Sequence, residues 1–200
     1  LSGTQVTTIG QYTFYKCSNL ETIINIPDSV TTIGDRAFHS CSSLETIDLS
    51  GTQVTTIGQY TFYKCSNLET IINIPDSVTT IGDRAFHSCS SLETIDLSGT
   101  QVTTIGQYTF YKCSSLETID LSGTQVTSIG QNAFRSCSNL TSIDLGNSLT
   151  TIDNFAFYQC FSLTSITIPD SVTYIGFYAF NGIGSPSTFY VKGNVQTIKT

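Results

Sequence analysis

The chain has 200 residues, 39% of them hydrophobic and only 12% charged, with a formal net charge of -7. That balance argues against nucleic acid and anionic membrane surfaces as partners, since both want clustered Lys and Arg, and no apolar run approaches the roughly 20 residues that span a bilayer. The charged share is about half the usual one, so Ser and Thr must cover most of the surface, while the apolar share suffices for one elongated core without a second domain.

In chain order, Leu1 opens in the middle of a pattern, which implies a fragment of a longer protein with more repeats or a cap upstream. Val-Thr-Thr-Ile-Gly, first met at Val6 to Gly10, predicts a short extended run closed by a glycine suited to a positive φ angle. In the next coil Asp35-Arg36-Ala37-Phe38-His39-Ser40-Cys41 predicts a helical or 3₁₀ turn, too short to be a helix on its own. Ile47-Asp48-Leu49 alternates like a strand, with Ile and Leu inward and Asp outward. Pro27, Pro75 and Pro169 end that segment in some coils, and pairs such as Ser50-Gly51 end it in others.

From Leu49 the sequence repeats letter for letter: Leu1 to Asp48 recurs as Leu49 to Asp96. The anchors Ile9, Ile33, Ile57, Ile81, Ile105, Ile129, Ile152 and Ile175 set a step of 24 residues through Ile129 and 23 thereafter. Phe and Cys keep the same beat, from Phe14 to Phe180 and from Cys17 to Cys160. Positions held that tightly are predicted to point inward. One coil cannot cover its own apolar side chains, so successive coils must stack, at about 4.8 Å per step if they pair as strands. About eight such steps give a solenoid on the order of 40 Å long.

The run Leu163-x-x-Ile166-x-Ile168-Pro169-Asp170-Ser171-Val172-x-x-Ile175-Gly176-x-x-Ala179-Phe180 resembles the BspA-like class of leucine-rich repeats, and the resemblance covers nearly the whole chain. It implies a leucine-rich repeat solenoid of short parallel β-strands, turns and short helical or 3₁₀ segments, wound as a right-handed coil through a single domain, residues 1–200. It also implies surface-exposed or secreted adhesins, with extracellular-matrix proteins, host cells or other microbes as partners, and it brings no catalytic residues. The last coil departs from the pattern, with Ile183 in place of cysteine and Pro186 in place of leucine, which predicts a cap near 181–200, around Phe189 to Ile198.

A letter-perfect duplication cannot hold a unique catalytic pocket, so function should lie in a surface repeated along the axis. Three columns qualify. Glu21, Glu45, Glu69, Glu93 and Glu117 fall beside Asp48, Asp96, Asp120 and Asp144 on the predicted sheet face, a row suited to basic partners or to a solvated surface. Tyr12, Arg36, Tyr60, Arg84 and Tyr108 share one turn position, and Tyr15, His39, Tyr63, His87 and Tyr111 lie three residues later. Tyr and Arg dominate binding hot spots, although the same rings could simply stack on one another. The third column is threonine, Thr7-Thr8 through Thr103-Thr104, which could match ice, or could merely favour extended backbone; in a strand the paired threonines would face opposite ways.

The seven cysteines recur one coil apart, close enough for disulfides, yet seven is odd and buried thiols serve equally well as small hydrophobes. No catalytic, cofactor or metal site is predicted: Ser40 beside His39 lacks an orienting third group, and there is no local Cys-x-x-Cys pair. The expected role is a non-enzymatic adhesion or binding module, secreted or at the cell surface, engaging a host or extracellular-matrix protein or a glycan. A passive spacer or surface coat, and an ice-binding solenoid, are the alternatives.

Overall fold

The computed structural model describes residues 5–185 and the strands Thr188–Val191 and Thr197–Ile198. The chain winds as a β-solenoid whose strands are two to four residues long and pair in parallel with the neighbouring coil. One ladder begins with Thr8–Ile9, Thr32–Ile33, Thr56–Ile57 and Thr80–Ile81 and resumes from Thr104–Ile105 through Tyr174–Ile175 to Thr197–Ile198. Its register sets Ile on Ile, as in Ile9 opposite Ile33 and Ile129 opposite Ile152. The second ladder holds Thr22–Ile23, Thr46–Asp48 and Thr70–Ile72, then Thr118–Asp120 with Ser142–Asp144, then Ser165–Ile168 with Thr188–Val191. It lapses between Ser142–Asp144 and Ser165–Ile168 and at residues 94–96, where the backbone bonds from Glu93 to Glu69 (3.3 Å) and from Glu117 to Glu93 (3.1 Å) still tie the coils.

Between the ladders lies the segment predicted to be helical, and it is not helical. A helix would spend its N–H groups inside the coil. Here they alternate. In the second coil the N–H groups of Arg36, Phe38 and Ser40 donate to the carbonyls of Gln59, Thr61 and Tyr63 in the next coil, at 2.9, 3.0 and 2.7 Å. Those of Ala37, His39 and Cys41 close turns onto Gly34, Arg36 and Phe38, at 3.2, 3.2 and 3.1 Å. Arg36 and Ser40 sit third in their turns with φ of 55° and 61°, the left-handed geometry that type II turns require at that place. A staircase of turns therefore pairs coil to coil as a strand would, leaving the buried backbone satisfied.

The inward set is as the spacing predicts. Val30, Ile33, Phe38, Cys41, Leu44, Ile47 and Leu49 are all fully buried. Phe14, Phe38, Phe62, Phe86, Phe110, Phe134, Phe157 and Phe180 form one file with ring centroids 5.1 to 5.4 Å apart and planes within 9° of parallel. At that separation parallel rings are offset, the arrangement their quadrupoles favour. Eight rings make seven steps.

All seven cysteines are free, six of them buried and Cys17 exposed. Each buried thiol donates to a phenylalanine carbonyl of the preceding coil, as Cys41 Sγ to Phe14 O at 2.9 Å and Cys113 Sγ to Phe86 O at 3.1 Å. That carbonyl already accepts the amide of its own coil's cysteine, Cys17 N–H to Phe14 at 3.1 Å. The thiol fills the second lone pair. Burial pushes the Cys160 thiol up to about 12 and drives Cys137 higher than usual as well. The Cys137 and Cys160 sulfurs are inert packing rather than nucleophiles, whereas a hydrogen bond with Cys65 lowers Cys41.

The glycine of Ile-Gly also has a different reason from the one expected. Positive φ among glycines belongs to Gly51, Gly99, Gly146 and Gly182, and the Ile-Gly residues are not among them. They are small because coils meet there: a Cβ on Gly58 would lie 2.6 Å from Asp35 N, and one on Gly82 only 2.5 Å from Gln59 N. At the first 23-residue step Asp153 stands in that place, its carboxylate accepting the Asn154 amide at 2.6 Å. Of the predicted C-terminal cap, the backbone strands Thr188–Val191 and Thr197–Ile198 extend the two ladders; Pro186 and the links between those strands lie outside the described residues, as does Leu1.

Candidate functional site

The turn staircase brings the two predicted aromatic and basic columns together on one side of the rod. Tyr12 and Tyr15 meet at 5.4 Å, Tyr60 and Tyr63 at 5.6 Å, and Tyr108 and Tyr111 at 5.5 Å. In the first column the Arg36 guanidinium lies 4.4 Å from the Tyr60 ring and 5.6 Å from Tyr12, and Arg84 lies 4.5 Å from Tyr108 and 5.4 Å from Tyr60. In the second, His39 stacks between Tyr15 and Tyr63 at 5.0 and 4.7 Å, and His87 between Tyr63 and Tyr111 at 4.6 Å each. The backbone that aims the first column is the left-handed one: Tyr12, Arg36, Tyr60, Arg84 and Tyr108 all have φ between 55° and 60°. Bulky residues rarely adopt it, so interlocking coils must hold it in place.

Cation-π contact and stacking therefore link neighbouring coils, each cation contact contributing about 0.5–1 kcal/mol at an exposed site. The rings of the first coil are the more open, Tyr12 47% and Tyr15 39% exposed, whereas Tyr60, Tyr63, Tyr108 and Tyr111 are half-buried.

Three lysines that sequence reading passed over complete this face. Lys16, Lys64 and Lys112 lean over the rings of Tyr15, Tyr63 and Tyr111 at 5.2, 5.5 and 5.4 Å. Beside them runs a file of serines, Ser66, Ser90 and Ser114, each hydroxyl donating to the serine carbonyl one coil back at 3.1 to 3.3 Å. Lys64 and Lys112 line a groove of about 600 Å³ together with these serines. Their signal in the sequence is the same fixed beat, hidden because Lys and Ser one residue either side of a core cysteine look like ordinary surface.

The field at this face is positive. Burial first, and then Arg84, Lys112 and Lys64, lower the imidazole of His87 to about 4; His39 is lowered by burial too, then by Arg36, Lys64 and Lys16. The folded chain thus binds these protons less readily than the unfolded one, whose histidines titrate near 6.5. Stability from neutral His87 should be complete above about 6.5 and decline as pH falls toward about 4. Thermal melts from pH 7.5 to 4.5 should show that decline, and a His39→Asn/His87→Asn variant should show a shallower one; an unchanged slope in the variant contradicts this assignment.

Ser40 Oγ and Ser88 Oγ lie 2.9 Å from the Nδ1 of His39 and His87. The charged groups acting on these imidazoles are cations, which depress their basicity instead of orienting them as a carboxylate would.

The acidic column forms on a different side. Glu21, Glu45, Glu69, Glu93 and Glu117 follow one another coil by coil through backbone bonds of 2.8 to 3.3 Å. The aspartates beside them have local work: Asp48, Asp96 and Asp120 accept the amides of Ser50, Ser98 and Ser122 at 2.7 to 2.8 Å, and Asp144 accepts that of Gly146 at 2.9 Å. These are Asx turns that close the strand. The bonds from Ser122 hold the Asp120 carboxyl below its usual range. Exposed Ile24 and Ile72 interrupt the row.

Both threonines of each pair lie toward the surface, contrary to the expected opposite facing. The corner between Val30 and Ile33 accommodates both outside. The first threonine's hydroxyl donates to the coil before it, as Thr31, Thr55 and Thr79 do at 3.2 to 3.3 Å, so much of this column is spent on coil pairing. Among the described residues no three His, Cys, Asp or Glu side chains converge to hold a metal ion, and no helix is long and apolar enough to cross a membrane.

The chain matches the family described as BspA type leucine rich repeat region, in 6 copies over residues 2–102, 52–125 and 103–200. Among solved structures, a leucine rich cell surface protein from Faecalibacterium prausnitzii is 32% identical with a TM-score of 0.73, over 82% of this chain and 44% of that one. A leucine-rich repeat protein from Eubacterium ventriosum is 25% identical with a TM-score of 0.58, over 84% and 59%. The T. pallidum leucine rich repeat protein is 25% identical with a TM-score of 0.53, over 92% and 77%. This chain thus spans less than two thirds of the first two proteins. No curated protein matches it. With its 24-residue beat, parallel ladders and inward Ile, Phe, Cys and Leu, the chain belongs to the BspA-type leucine-rich repeat family.

Proposed function

We propose that the chain is a non-enzymatic binding module of a surface or secreted protein, which engages a protein or glycan partner weakly at each coil and gains from repetition. The observation that carries this reading is the Tyr, Arg and His face. It alternates regularly from Tyr12 through Tyr111, and its left-handed backbone holds large side chains outward where a glycine would suit the turn better. A neighbour named as a cell surface protein supports the location.

Weak contacts linked along one rigid rod raise overall affinity by about 10²- to 10⁴-fold when all can engage together. Deleting residues 49–96 should therefore weaken binding steeply in a screen against immobilised extracellular-matrix proteins and glycans. Equal affinity for the shortened chain contradicts the reading. Binding through the rings should persist across about 0.05 to 0.5 M salt, whereas binding through the Glu column should fade as screening lengths shrink.

A passive spacer is the second reading. It is favoured by how fully the columns satisfy one another, with Arg36 held between two tyrosines. It predicts no partner anywhere in the same screen.

A further inference from the structure

Charge is sorted around the rod. Six of the eight Lys and Arg residues, Lys16, Arg36, Lys64, Arg84, Lys112 and Arg135, lie on the turn staircase, and Lys192 and Lys199 are outside the described residues. Both histidines lie there as well. Asp35 and Asp83, the carboxylates nearest in sequence, are occupied by the amides of Gln59 and Gln107 at 2.7 and 2.8 Å. With six cations against Asp35, Asp83 and Asp153, the face is a basic strip on a chain whose net charge is -7.

Within that strip the groove of about 600 Å³ runs along the rod from Ser40 to Ser136, with Lys64 and Lys112 on its wall. Five successive coils contribute, so its length is about 20 Å, and the two lysines stand about 10 Å apart at the strand-pairing spacing. Between them the serine hydroxyls of Ser66, Ser90 and Ser114 have their hydrogens turned toward the preceding coil. Each oxygen keeps a lone pair free to accept. The groove therefore offers two cations about 10 Å apart with neutral acceptors between them.

We infer that this groove is a binding site for a linear acidic polysaccharide, a polymer of hydroxyl-rich sugars carrying carboxylate or sulfate groups at intervals. Duplex nucleic acid carries a charge about every 1.7 Å, far denser than the lysines here, and offers few hydroxyls to the serine oxygens. A polysaccharide matches both the sparse cations and the acceptors. This assignment rests on the binding-module reading and names a ligand class and a place for it.

The test uses the whole chain with chondroitin sulfate as the probe, neutral dextran and single-stranded DNA as comparisons, and Lys64→Gln/Lys112→Gln as the variant. Both lysines are exposed, so the variant should stay folded, its melting lowered by no more than the loss of two exposed cation-π contacts. Chondroitin sulfate should bind and dextran should not, with DNA weaker than chondroitin sulfate. The variant should bind about tenfold more weakly and lose between 1 and 2, roughly, from its slope of log affinity against log salt. Absence of chondroitin sulfate binding, equal binding by the variant, or DNA binding at least as tightly overturns the assignment. If matrix proteins still bind with the dependence on residues 49–96, the groove assignment alone has failed; if they do not, the binding-module reading fails with it.

Discussion

Phe110→Ala is expected to destabilise the chain by about 3–5 kcal/mol, the cost of deleting a buried aromatic from a core that cannot collapse around the gap. Phe110 is fully buried, with its ring centroid 5.3 Å from those of Phe86 and Phe134. Both neighbours are pinned by backbone bonds between coils, Phe86 N–H to Thr109 at 2.9 Å and Phe134 N–H to Ala156 at 2.8 Å, so the hole stays open. Because each coil is stable only against its neighbours, a break in the middle should also split cooperative unfolding. Chemical denaturation should show a lower midpoint and a broadened or two-step transition. Phe14, at the end of the file and only partly buried, should cost clearly less. A loss below about 1 kcal/mol for Phe110→Ala, which is ordinary for any substitution, contradicts a shared interior.

Gly82→Val is expected to cost about 1–3 kcal/mol or more, as overpacking does where nothing can move. Its first added atom would lie 2.5 Å from Gln59 N and 2.7 Å from Gly58 C, both backbone. The coils must part there, which strains the bonds of Tyr60 to Asp83 (3.0 Å) and Gly82 to Ile57 (2.9 Å). Gly123→Val is the matched control: its nearest neighbour would be Gly99 N at 3.8 Å, ordinary contact, so stability should change by no more than about 0.5 kcal/mol. Equal melting of the two variants shows that the Ile-Gly position is not a contact between coils.

What could be read from the sequence was whatever recurs on one beat and points inward. Ile33, Phe38, Cys41, Leu44 and Ile47 declared the period, the core and the parallel stacking, because burial is the same demand at every step. The turn staircase was hidden. Left-handed positions are normally announced by Gly or Asn, and here Arg36, Ser40, Tyr60 and Lys64 occupy them, so the stretch passed for a helical turn. The Ile-Gly glycines were misread for the complementary reason: a residue can be small for its neighbours' sake. Aspartates in a column looked like a charged face, yet their Oδ1 atoms serve Asx turns, a local bond that column counting does not see. The aromatic and basic columns were found by period alone, whereas their mutual stacking depends on ring orientations that only coordinates supply.

The most direct test of a single interior shared by interchangeable coils is removal of residues 49–96. Asp48 would then precede Leu97, as Asp96 does now, and every junction contact has a native counterpart. X-ray scattering should show a folded rod of unchanged cross-section that is shorter by about 10 Å, two coils at the strand-pairing spacing. A shortened chain that fails to fold, or a particle whose length does not change, would contradict the stacked-coil account.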